Sequence, residues 1–172
     1  MGAELAEQRA EAKTAGAAYD LAVREAEAYY GHQEGYSGAI NSKDRGFVLV
    51  ALPSRFTYRK LQALLEDFDV AKQNLADAAD HVLAYRPGGI WSGMRGAKGN
   101  LRKAEVSYRK AKREFAQVEK RVPASLAVNF ENIVDTYHDK WGPPLAVQLT
   151  PAEAKPTKRG HRFYIFFGYA PS

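Results

Sequence analysis

A basic segment between Arg86 and Arg121 is the part of the sequence with the clearest chemical character. It holds 11 lysine or arginine residues and 3 acidic residues, which gives a net charge of +8. The residues before it carry a net charge of −4 and those after it +1, within a chain total of +5. Because clustered positive charge attracts phosphates and other acidic groups, the segment predicts an acidic partner, with nucleic acid as the first choice.

The basic segment opens with a glycine-rich loop over residues 86–99, in which Trp91 is the aromatic residue. Cations, exposed backbone N–H groups and an aromatic face together suit phosphates and unpaired bases. Gly93, Gly96 and Gly99 recur at steps of three, but the glycine-lysine-serine/threonine ending of a nucleotide P-loop is missing and no strand is predicted before the loop. The cations and the aromatic residue predict contact with a polyanion, whereas the glycine spacing alone indicates a flexible connector rather than a nucleotide site. We expect no bound cofactor.

A helix follows this loop, and its basic residues lie off the apolar stripe that begins with Leu101 and Ala104. Only Glu105 and Arg109 form the favourable acid-before-base pair four residues apart, so pairing within the helix leaves most of the charge unexplained. The residues predicted to contact the acidic partner are Arg86, Trp91, Arg95, Lys98, Arg102, Lys103, Arg109, Lys110 and Arg113. The alternative is a solvated helix face, partly neutralised by the acidic residues of a neighbouring helix.

A second cluster, of tyrosine and histidine among glycines, lies near residue 30. Tyrosine gives a large contact area with a polar tip, which suits recognition of a protein surface. Tyr30, His32 and Tyr36 are therefore the predicted protein-contact loop, unless the loop simply packs over the end of a helix. The second hypothesis is therefore a protein-interaction module, an inhibitor or assembly subunit that acts by blocking a partner protein. Such a module could derive from a phage or mobile element, as an anti-defence protein does.

No motif for catalysis or metal binding stands out. The chain has no cysteine, which excludes disulfides, thiolate metal sites and cysteine nucleophiles. The histidines at 32, 81, 138 and 161 lack the short spacing of a zinc site, and no glycine-x-serine-x-glycine elbow is present. We expect no metal and lean against an enzyme. The third hypothesis is an enzyme whose site is assembled from dispersed residues.

Length and composition indicate a globular protein. A chain of 172 residues with 45% hydrophobic and 26% charged residues suits a single domain spanning 1–172. Glutamates near the start replace the basic and apolar stretches of a secretory signal, and no run of 18 apolar residues occurs. We therefore expect a cytoplasmic protein, in its own cell or in a host cytoplasm, with no membrane partner.

Apolar spacing predicts the elements that position these residues. Steps of three and four predict helices over residues 3–30, over 61–85, from an N-cap at Asn100, and from Pro123 to Trp141. Apolar runs predict a strand buried on both faces at Gly46–Leu52, and two strands at 145–149 and 163–169 that pair as a hairpin.

The predicted fold class is α+β. We expect three long amphipathic helices packed as a bundle or helical hairpin, a shorter fourth helix, and a small antiparallel sheet of about three strands. The helical part covers roughly 1–141 and the C-terminal β-hairpin roughly 145–169. The same heptad-like spacing also allows a homo-oligomer in which helices pair between chains.

Overall fold

A computed structural model describes residues 2–31, 39–43 and 46–171. The fold is α+β, as predicted, with five helices and one four-stranded mixed sheet in the described residues. In chain order the elements are β1 (Ala3–Ala12), α1 (Ala15–Tyr30), a 3₁₀ turn (Ile40–Ser42), β2 (Val48–Leu49), α2 (Tyr58–Tyr85), α3 (Ala97–Glu119), α4 (Ala124–Ala127), α5 (Phe130–His138), β3 (Leu145–Gln148) and β4 (Arg162–Pro171).

The chain divides into two compact units. The first consists of the residues up to Leu61 together with those from Ser125 onward, and the second is Gln62–Ala124. The sheet, α1 and α5 belong to the first unit, whereas α3 and most of α2 belong to the second. The single domain expected over 1–172 stays a prediction.

The sheet of the first unit has the strand order β1-β4-β3-β2, so it has one strand more than predicted and is mixed rather than antiparallel. β4 pairs antiparallel with β1, from Ala3 opposite Pro171 to Ala12 opposite Arg162. It also pairs antiparallel with β3, which confirms the predicted C-terminal hairpin. β2 lies parallel to β3 at the other edge.

The predicted first helix over residues 3–30 is wrong in its first third, because Ala3–Ala12 form β1. Alanines at positions 6 and 10 are four apart, which suits a helix face, but both positions also fall on the same face of a strand. Pairing along the whole length of β4 decides between the two, and the alanines are buried in the sheet. α1 begins only after Thr14, whose hydroxyl accepts a hydrogen bond from the Ala17 N–H at 3.2 Å.

The predicted strand at Gly46–Leu52 is also wrong in length and burial. Only Val48 and Leu49 form a strand, and both side chains are exposed. β2 is an edge strand that pairs with β3 alone, and Pro53 ends the apolar run shortly afterwards. Val50 is the buried residue of the segment, and its N–H donates to the carbonyl of Ala146 at 2.8 Å.

The predicted fourth helix, from Pro123 to Trp141, is divided into α4 and α5. The two helices are separated at Val128 and Asn129, and the second ends at His138. Asp139 takes an extended conformation, and its Oδ1 accepts the Trp141 N–H at 3.0 Å, so the chain turns away before Trp141.

Both faces of the sheet are covered within the first unit. On one face α1 lies close to β1 through small side chains, because Ala18 and Ala22 are buried against Ala6 and Ala10. On the other face the ring of Phe167 lies 4.8 Å from Tyr58 and 5.8 Å from Tyr137, measured between ring centroids. The Tyr58 hydroxyl donates to the Glu7 carboxylate, and burial together with this bond raises the pKa of Tyr58 far above its usual range.

Glu11 connects β1 to the loop before β4. Its carboxylate accepts the Thr157 hydroxyl at 2.7 Å and the backbone N–H groups of Thr157 and Lys158 at 2.9 Å. The Thr157 hydroxyl contributes most to a lowered pKa of Glu11, and the two N–H groups act in the same direction while burial opposes them.

We expect Glu11→Gln to lower the stability of the protein at neutral pH and to have almost no effect on its stability at low pH. A carboxyl whose pKa is lower in the folded state stabilises the protein above its unfolded pKa of about 4.3 and loses this effect as the pH falls. Urea unfolding at about pH 7 and pH 3 measures the difference from the wild-type protein. Glu4→Gln, at an exposed glutamate of the same strand, is the control; a Glu11→Gln deficit of equal size at both pH values would contradict the prediction.

Candidate nucleic-acid interface

The second unit is built on α2 and α3, which pack side by side in antiparallel order. Near one end the rings of Phe68 and Phe115 lie 5.1 Å apart, and Asp67 accepts Arg121 at 2.6 Å. Towards the other end, Val82 of α2 and Tyr108 of α3 line a common groove. α2 covers the predicted range closely. On its predicted apolar face Phe68, Ala71 and Val82 are buried, whereas Leu75, Ala78 and Tyr85 are half-buried.

The connector between the two helices folds back on α2 within the predicted glycine-rich loop. A side chain at Gly89 would lie 2.3 Å from the Leu83 carbonyl oxygen, so only glycine fits there. Trp91 donates its backbone N–H to the Ala84 carbonyl at 2.9 Å, and its ring lies 5.2 Å from Tyr85. Trp91 is 37% exposed, so only part of its ring is available for stacking.

α3 begins three residues before the predicted N-cap, Asn100. Its N-cap position is Gly96, whose φ of 84° is a left-handed conformation that glycine adopts readily. Asn100 therefore lies in the first turn, where its N–H donates to the Gly96 carbonyl at 3.1 Å. As a result Lys98 belongs to the helix rather than to the loop.

The predicted contact residues of α3 are all exposed, and four of them share one narrow face. At 100° per residue, Lys98, Arg102, Arg109 and Arg113 fall within an arc of about 60°. Lys103 and Lys110 lie further round the exposed side, and the buried residues Ala97, Ala104 and Ala111 lie opposite. Arg86 and Arg95 are exposed in the connector. We call Lys98, Arg102, Arg109 and Arg113 the basic face.

Acidic residues neutralise little of this charge. Lys110 lies 3.8 Å from Glu114, and Arg121 pairs with Asp67 across the two helices. Within residues 2–31, 39–43 and 46–171, the four residues of the basic face form no ion pair, and the expected pair of Glu105 with Arg109 is not made. The charge of the basic face is therefore not neutralised by ion pairs among the described residues.

A groove of about 430 Å³ runs between α2 and α3 beside the basic face. Val82, Leu83 and Tyr108 give it apolar walls. Three cations and one carboxylate complete its lining: Arg86, Arg109, Lys112 and Glu105. Sequence reasoning missed Lys112 and Tyr108, although Lys112 follows Arg109 by three residues, which places both on one side of a helix. The groove can hold an apolar or aromatic group next to an anion.

The predicted protein-contact loop is described only at its start. Tyr30, at the end of α1, is half exposed, and its ring lies 4.8 Å from that of Tyr29. His32 and Tyr36 lie outside the described residues. The structure therefore describes Tyr30 beside Tyr29, at the start of the predicted tyrosine and histidine cluster.

No family model, curated protein or solved structure matches this chain. In the part of the chain that the structure describes, no helix is long and apolar enough to cross a membrane. Nor do the described residues bring three or more histidine or acidic side chains together as ligands for a metal ion.

Proposed function

We propose that this protein is a non-enzymatic binding protein that docks nucleic acid through the basic face of α3 and the connector before it. The observation that carries the proposal is the basic face itself, four exposed cations within one arc and without ion pairs to described residues. Four like charges on one helix face repel each other, and phosphates relieve this repulsion. The protein acts in the cytoplasm, where nucleic acids are accessible.

The dimensions of the basic face suit a nucleic-acid backbone. From Lys98 to Arg113 the helix rises about 22 Å, and an α-helix fits the major groove of a duplex. The aromatic residues beside the cations, Trp91 and Tyr108, instead offer stacking surfaces for unpaired bases. Tests with both duplex and single-stranded probes distinguish these two modes.

We expect steep salt dependence for this binding. If the basic face neutralises about four phosphates of a duplex, the logarithm of affinity falls with a slope of about −3.6, which is roughly 150-fold between 50 and 200 mM salt. Fluorescence anisotropy with labelled 20-mers of single- and double-stranded DNA and RNA measures the slope. Absence of binding at 50 mM, or binding that is indifferent to salt, would refute the proposal.

The exposed apolar tip of the second unit favours a second function, docking to an acidic protein surface. Ile90 is 83% exposed, and Met94 and Leu83 are more than half exposed, close in sequence to Arg86 and Arg95. Apolar anchors surrounded by cations are typical of protein interfaces. Such binding would persist at 200 mM salt and would not be displaced by competing polyanions, unlike binding of nucleic acid.

A further inference from the structure

The first unit contains a cleft that the basic face does not explain. Its volume is about 670 Å³, within the range of small-molecule sites. It is lined by the start of α1, the loop after β2, and the adjoining ends of β3 and β4. The register of the sheet creates this arrangement, because Ala12 lies opposite Arg162 and Lys13 follows immediately.

The lining of the cleft is positively charged. Lys13, Arg55 and Arg162 contribute to it, and no carboxylate of the described residues does. The nearby Glu153 is engaged elsewhere, since its carboxylate accepts the backbone N–H groups of Tyr58 at 2.9 Å and Thr150 at 3.0 Å. Arg162 donates one N–H to Gln148 at 3.2 Å, which orients its guanidinium and leaves further donors for a ligand.

Tyr164 is a buried polar side chain at the cleft. Only 4% of the residue is exposed, and its ring packs in the alanine layer between β1 and α1. Its hydroxyl has no hydrogen-bond partner among the described residues, although Tyr164 lines the cleft. The hydroxyl itself is open to solvent at the cleft, so it is available to donate to a ligand there.

The start of α1 adds backbone donors. The Thr14 hydroxyl accepts a hydrogen bond from the Ala17 N–H, and the Ala18 N–H donates to the Thr14 carbonyl. The N–H groups of Ala15 and Gly16 have no intrahelical acceptor, and the first turn contains no acidic residue. A helix start of this kind favours an anion.

We infer that this cleft binds a phosphorylated small molecule, a phosphate monoester with an apolar or aromatic body. The phosphate lies among the three cations Lys13, Arg55 and Arg162 and the start of α1, and the Tyr164 hydroxyl donates to it. Leu52, Phe56 and Leu149 line the same cleft and pack against the organic part. Phosphate fits because bidentate guanidinium contacts and helix starts both recognise it.

Titration with phenyl phosphate, inorganic phosphate and neutral phenol at constant ionic strength tests this site. We expect saturable binding of phenyl phosphate, and of inorganic phosphate more weakly. Arg162→Gln and Lys13→Gln each weaken the binding of phenyl phosphate about 10-fold, because each removes a charge-assisted hydrogen bond, and Tyr164→Phe weakens it a few-fold. Arg159→Gln, an exposed cation near β4 outside the cleft, leaves it unchanged.

Arg55 provides a variant that separates binding from folding. Its φ is 65°, a left-handed conformation that costs an ordinary residue energy and glycine very little. Arg55→Gly therefore keeps or raises the thermal unfolding temperature while weakening phenyl phosphate binding several-fold. Equal loss of binding in Arg159→Gln, full binding in Arg55→Gly, or phenol binding as tight as phenyl phosphate would overturn the inference.

Discussion

Changing Arg102, Arg109 and Arg113 together to glutamate lowers the affinity for a 20-bp duplex at 50 mM salt by roughly 1,000-fold or more. Each phosphate contact contributes about one order of magnitude at this salt concentration, and three contacts are lost. The slope of log affinity against log salt also decreases by about 2.7. Anisotropy titrations at several salt concentrations measure both quantities on the same samples.

The matched control for this variant places the same change of charge elsewhere. Lys155, Lys158 and Arg159 are exposed residues of the first unit, and their replacement by glutamate alters net charge equally. We expect the control to lose less than about 10-fold, because it leaves every proposed phosphate contact of the basic face in place and salt screens the remaining long-range attraction. An equal loss in both variants would show that net charge, not the basic face, drives binding. Circular dichroism checks that α3 stays helical.

The second unit is the part of the fold that the sequence predicts best. Apolar residues at steps of three and four from Leu61 to Tyr85 have no competing strand interpretation, and Pro87 with two glycines ends the helix. The excess of basic residues in the segment after this helix then predicts which residues of α3 are exposed. The apolar groove residues Leu83 and Tyr108 were missed because they approach each other only after the two helices pack.

The first unit shows why an alanine-rich strand is hard to predict. Alanine and glutamate favour helices, and residues 3–12 consist largely of these two types. They form a strand because they pair with β4, at least 150 residues away in sequence, whose aromatic side chains supply the packing. The local clue was Thr14, a good N-cap that marks the true start of α1.

The cleft could not be predicted from the sequence either, because it too depends on pairing between strands that are far apart in the chain. Lys13, Arg55 and Arg162 are dispersed along the chain, and no motif joins them. The antiparallel register of β1 with β4, and the parallel pairing of β2 with β3, bring their chain segments to one end of the sheet. A site of this kind depends on strand order, which apolar spacing alone does not specify.

Phe167→Ala is expected to reduce the free energy of unfolding by about 3–5 kcal/mol. Phe167 is fully buried at the centre of β4, opposite Leu145 of β3 and Glu7 of β1. Its ring contacts Tyr58 and Tyr137, so truncation leaves a cavity between aromatic side chains that cannot collapse easily. Urea unfolding followed by circular dichroism measures the loss.

Tyr29→Ala removes another aromatic ring and is the control for this prediction. Tyr29 is 81% exposed, so its truncation should change stability by no more than about 0.5 kcal/mol. A loss below about 1 kcal/mol for Phe167→Ala would contradict the packing described for this face of the sheet. The contrast tests burial directly, because both variants delete a ring while only one opens the core between the sheet, Tyr58 and α5.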